Sequence, residues 1–130
     1  MYKSLTNGVR VSVEPHYLED ESDPDQDRFF WAYAVEIGNE GTASVQLLTR
    51  HWRITDSYGQ VEIVHGPGVV GEQPHIGPGD VFSYTSGCPL TTPSGIMAGS
   101  YQMIGEDGKE FDVEIPAFSL DLPDARRVLN

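Results

Sequence analysis

Gly66, Gly68 and Gly71 stand in HGPGVVGEQP, His65 to Pro74, with the spacing G-x-G-x-x-G. In a strand–loop–helix unit that spacing holds a pyrophosphate, because the helix N-terminus supplies the amide groups and the field. QVEIV, just before the motif, supplies the strand. VVGEQPHIGPGD, just after it, cannot supply the helix, since Pro74, Pro78 and further glycines interrupt it. Glu72 lies inside the loop and would repel phosphate, and no Walker lysine follows. The three glycines therefore read as backbone geometry for a loop joining two strands. A backbone nest for a nucleotide or pyrophosphate anion, formed without a helix, is the alternative. Val69 and Val70 are apolar in a polar stretch and read as a recognition surface. Gly66, Gly68, Val69, Val70, Gly71 and Glu72 together form the candidate ligand- or partner-binding loop.

Other reactive residue types are scattered. His16, His51, His65 and His75 show no ligand spacing such as H-E-x-x-H. Asp23, Asp25 and Asp27 match the start of a calcium loop, but its sixth and twelfth positions hold Arg28 and Ala34. Ser86-Gly87-Cys88 follows a strand as a loop-like stretch without a G-x-S-x-G elbow. Cys88, the only cysteine, reads as a small apolar core or turn residue. No catalytic residue, metal site or cofactor is expected, and the reading is of a non-enzymatic protein.

The elements that would position the loop are strands. LTNGVRVSV alternates at Val9, Val11 and Val13 and reads as one strand ending at Pro15. YLEDESDPDQDR has six acids between Glu19 and Asp27 and reads as a solvated, mobile loop. FFWAYAVEI, Phe29 to Ile37, reads as a central strand, and GNEGTAS as a turn. VQLLTRHWRIT and QVEIV read as a hairpin with the loop Asp56 to Gly59. Pairing Thr55 with Gln60 then sets Ile54 opposite Val61, Arg53 opposite Glu62 and Trp52, on the buried face, opposite Ile63. In that register His65 lies diagonal to His51 but on the other face. Asp80 to Ser86, Ile96 to Ile104 and Glu110 to Ile115 read as three more strands. The last two are joined by Glu106, Asp107 and Gly108, with Gly108 left-handed, so Met103 pairs with Phe111 and Tyr101 with Val113. The tail DARRVL reads as a helical turn. About seven antiparallel strands imply an all-β, two-sheet sandwich.

The chain has 130 residues, which fits one domain over 1–130, with 14 glycines and 9 prolines to punctuate many short elements. Twenty acids against eight bases give a formal charge of −12. That charge disfavours nucleic acid and anionic membranes as partners. MYKSLTNG has no apolar stretch, no run is long enough to span a bilayer, and one cysteine permits no intrachain disulfide. Cytoplasm is the expected location.

Several motifs in order, over nearly the whole chain, carry a resemblance. They are SDP (Ser22 to Pro24), HGPGVVGEQP, FSYTSGCPL (Phe82 to Leu90), TPSGIMAGSYQM (Thr92 to Met103) and IPAFSL (Ile115 to Leu120). Together they resemble the ApaG family, also called CorD. The resemblance implies a fibronectin type III-like or immunoglobulin-like β-sandwich. It also implies a small cytoplasmic protein whose gene lies near that of a diadenosine tetraphosphate hydrolase, with links to cobalt tolerance and magnesium handling. Related domains on eukaryotic F-box and polymerase-interacting proteins imply protein–protein interaction. The family's glycine motif falls on Gly66, Gly68 and Gly71, and the family brings no catalytic residues. The expected function is thus a binding module for a protein partner still to be identified, with weak nucleotide or anion binding as the alternative.

Overall fold

The computed structural model describes residues 1–123; the expected turn in DARRVL lies outside them. The strands are β1 (Tyr2–Thr6), β2 (Val9–Tyr17), β3 (Phe29–Asn39), β4 (Val45–Asp56), β5 (Val61–Pro67), β6 (His75–Ile76), β7 (Val81–Leu90), β8 (Gly95–Gly105) and β9 (Glu110–Leu120). All pairings are antiparallel. One sheet has the order β1-β2-β3-β7. The other has β5-β4-β8-β9, with β6 also on β4. The two sheets form the expected all-β sandwich of the fibronectin type III and immunoglobulin-like class.

Period-two alternation builds the core. Val9, Val11 and Val13 of β2 and Trp31, Tyr33, Val35 and Ile37 of β3 are buried from one side. Leu47, Trp52, Met97, Tyr101, Val113 and Phe118 meet them from the other. At about 25 cal/mol per Å² of apolar surface removed from water, this interlayer contact is the main stabilising term.

Four readings of strand extent change, and the simplest is that β9 runs on past Ile115 to Leu120. LTNGVRVSV is two strands, because Asn7 (φ 48°) and Gly8 (φ 80°) form a turn with both central residues left-handed. β2 continues through Pro15, beyond Val13, where β1 has ended and one edge of β2 is open. Ser86, Gly87 and Cys88 lie within β7 rather than after it. Cys88 is buried, as its small apolar character suggested.

The hairpins divide. Met103 pairs with Phe111 and Tyr101 with Val113, and Gly108 is left-handed at φ 77°, as expected. The β4–β5 register is one residue off the expected one. Ile54 faces Glu62, Trp52 faces Val64 and His51 faces His65. The turn chemistry decides it. The Asp56 amide donates to the Gln60 carbonyl at 2.9 Å, Gly59 is left-handed at φ 82°, and the Asp56 carboxylate accepts the Tyr58 and Gln60 amides. The slip leaves Trp52 buried but turns Val61 and Ile63 outward, 45% and 53% exposed.

The two sides of the sandwich differ. On one, Ser4 Oγ donates to the Glu114 carbonyl at 2.7 Å and Thr6 Oγ1 accepts the Glu114 amide at 3.2 Å, tying β1 to β9 across the layers. On the other, the edges of β5 and β7 remain unjoined. The acidic segment is anchored rather than free. Its two single-turn 3-10 helices, Glu19–Glu21 and Pro24–Gln26, flank Ser22, whose hydroxyl accepts the Phe30 amide and donates to the Leu18 carbonyl.

Candidate functional site

The glycine loop sits on the open side, folded over a bulge in β4. Leu48 is the extra residue there, between the pairs Leu47–Met103 and Thr49–Gln102. Its carbonyl accepts the Gly68 amide at 2.8 Å and the Gln73 side-chain amide at 2.9 Å. The Leu47 amide donates to the Pro74 carbonyl, so the loop is tied to β4 on both flanks. Between these ties Val69 and Glu72 exchange two backbone bonds, 2.8 and 2.9 Å, around Val70 and Gly71. Those two residues have φ of 43° and 81°, the left-handed pair of a type I′ turn.

This geometry separates the predicted residues. Gly68 has φ 63°, and a Cβ on it would lie 2.2 Å from the Glu72 carbonyl oxygen. A Cβ on Gly66 would press against the Arg50 guanidinium at 3.1 Å. Val69 is 1% exposed and belongs to the core, which corrects the expectation of a paired exposed surface. The turn reverses the chain directly after it, so neighbouring valines face opposite ways. Val70 is 55% exposed, and Glu72 is exposed too. No helix follows Gly71; the next element is β6. The Gly68, Val69 and Glu72 amides are all taken by carbonyls of the protein.

Arg50 was absent from the expected site. Its Nη1 donates to the Pro67 carbonyl at 3.0 Å and the Gly68 carbonyl at 3.1 Å. Tyr33, Tyr84 and Ser86 line the same small cleft, of about 220 Å³, beneath Val70 and Gly71. The signal was in the alternation: Arg50, Trp52 and Ile54 share one face of β4, and a charge on a core-facing row calls for partners.

The cleft suits hydrogen bonding better than bond-making. Burial pushes the Tyr33, Tyr84 and Tyr101 hydroxyls up, although the Ser86 side chain beside Tyr33 acts the other way. Tyr84 and Tyr101 share a hydrogen bond of 2.5 Å. Burial, helped by the Glu62 carboxylate, raises the Cys88 thiol to about 11, so it is a protonated thiol at neutral pH.

Two of the four histidines meet on the outer face of the second sheet. His51 and His65 are directly opposite, ring centroids 5.9 Å apart, rather than on opposite faces. The one-residue register difference is the cause. Among the described residues no three His, Cys, Asp or Glu side chains are grouped to hold a metal ion, and no helix is long and apolar enough to cross a membrane.

Known proteins share this architecture. A family model described as the ApaG domain matches residues 19–105. Protein ApaG of Brucella anthropi is 59% identical over 130 residues, covering all of both chains. Protein ApaG of Rhizobium leguminosarum bv. trifolii is 57% identical with the same coverage. A crystal structure of a Bordetella pertussis protein named ApaA has a TM-score of 0.87 at 49% identity, over 88% of this chain and 94% of its own. By full-length identity and by fold, this chain belongs to the ApaG family.

Proposed function

We propose that the protein is a non-enzymatic binding module that recognises a protein partner through the Val70–Gly71 turn. One observation carries this reading: Val70, branched at Cβ, is held left-handed and exposed at the tip of a loop anchored on both flanks. Such a backbone costs ~1–3 kcal/mol and persists only where its surroundings enforce it. A rigid scaffold presenting one strained apolar tip suits recognition. The partner supplies the family's link to cobalt and magnesium, and the meeting takes place in the cytoplasm.

Val70→Asn tests this. Asn-Gly is the preferred type I′ pair, so the variant should be more stable by ~1 kcal/mol. Its melting temperature should rise by a few degrees. Affinity capture from cell lysate should retain a protein on the wild type and lose it on the variant. Equal retention by both would remove the turn from recognition.

The alternative, a nucleotide or pyrophosphate anion, draws on Arg50 and the hydroxyls beside it. Against it, Arg50 Nη1 already serves two carbonyls and three loop amides are occupied. Calorimetry with ATP, GTP and inorganic pyrophosphate should give dissociation constants weaker than ~1 mM, about 4 kcal/mol. Micromolar binding that disappears in Arg50→Gln would put this alternative first.

A further inference from the structure

A second surface lies along the same open side. The start of β3, the end of β7 and the β4–β5 hairpin diverge there around a groove of about 500 Å³. Phe29, Phe30, Ile54 and Leu90 line it with apolar surface, and all but Phe29 are only half buried. Val61, 45% exposed through the β4–β5 register, extends that surface. An open apolar groove on a polar molecule marks a place where a partner excludes water.

The charged lining selects the partner. Glu21, Asp27, Asp56 and Glu62 contribute four carboxylates against the single guanidinium of Arg28. Among the described residues the only ion pair is Arg10–Glu40, so none of the four is paired with a cation of those residues. The register sets Glu62 opposite Ile54, which puts a carboxylate directly beside the apolar lining. An occupant without positive charge would strip water from these carboxylates and return nothing.

We propose that this groove binds a segment of a partner protein in which one apolar side chain is flanked by lysine or arginine. The apolar side chain covers Phe29, Phe30, Ile54 and Leu90, while the flanking cations meet the carboxylates. Complementary charge of this kind sets specificity and speeds encounter. The inference rests on the binding-module reading and adds a contact separate from the Val70 turn.

The test is selection from a random phage-displayed peptide library on the full chain, then fluorescence anisotropy of the selected peptides. The enriched sequences should carry an apolar residue beside Lys or Arg. Their affinity should fall at least about tenfold when salt rises from roughly 50 to 500 mM. Glu62→Lys should weaken them by a similar factor with its melting temperature unchanged, since Glu62 is exposed. Val70→Asn should bind them as the wild type does. Enrichment of acidic or uncharged sequences, no enrichment, or full binding by Glu62→Lys would overturn the proposal. Binding lost in Val70→Asn but kept in Glu62→Lys would overturn the groove and leave the turn reading standing.

Discussion

Trp52→Ala should destabilise the protein by ~3–5 kcal/mol, the range for truncating a buried aromatic. Trp52 is 3% exposed and joins the layers. Its ring meets Tyr33 edge-on at 5.4 Å and Phe118 at 5.9 Å and 89°. Each such pair contributes ~0.5–1.5 kcal/mol beyond area burial. Urea unfolding of the variant measures the sum. A loss under about 1 kcal/mol would mean that the neighbouring rings collapse into the space, which a close-packed two-layer core resists.

Gly68→Ala should cost ~2–4 kcal/mol, combining left-handed strain with a backbone collision. The collision is with the Glu72 carbonyl, which the Val69 amide already holds, so the turn must open to relieve it. Gly71→Ala makes the control. Its φ is 81° but nothing lies within 4 Å of the added Cβ, so ~1 kcal/mol of strain is expected. Both losses should be the same with and without ATP. Equal losses at the two positions would refute the collision, and rescue of Gly68→Ala by ATP would give the loop a phosphate to hold.

The two hairpins show how legible the fold was. Around β8–β9, a three-residue loop ending in a left-handed glycine fixed the register from the sequence. DSYGQ contains the same device: Gly59 stands where Gly108 does, and the Asp56–Gln60 bond repeats Gly105–Lys109. Reading DSYGQ by side-chain faces favoured burying Val61 and Ile63, and turn chemistry outweighed that gain. The expected site was legible as a loop but not as a surface. Val69 and Val70 are neighbours with no pleat to sort them, and only the type I′ reversal sends one inward. The groove was hidden for another reason. Its lining comes from segments far apart in sequence, brought together only when β3, β4 and β7 meet.

The chain's two described ends come to one place. Met1 and Tyr2 border the same depression as Leu122 and Pro123, and the Trp31 indole donates to the Asp121 carbonyl at 2.9 Å, pinning the exit. That depression lies on the β1–β2 flank of β3, whereas the glycine turn lies on its β7 flank. A unit whose entry and exit sit together can be spliced into a longer polypeptide as a cassette. Here Met1 and Pro123 share the β1–β2 flank, so a host polypeptide joined at those two residues would approach from that flank rather than from the side of the Val70 turn.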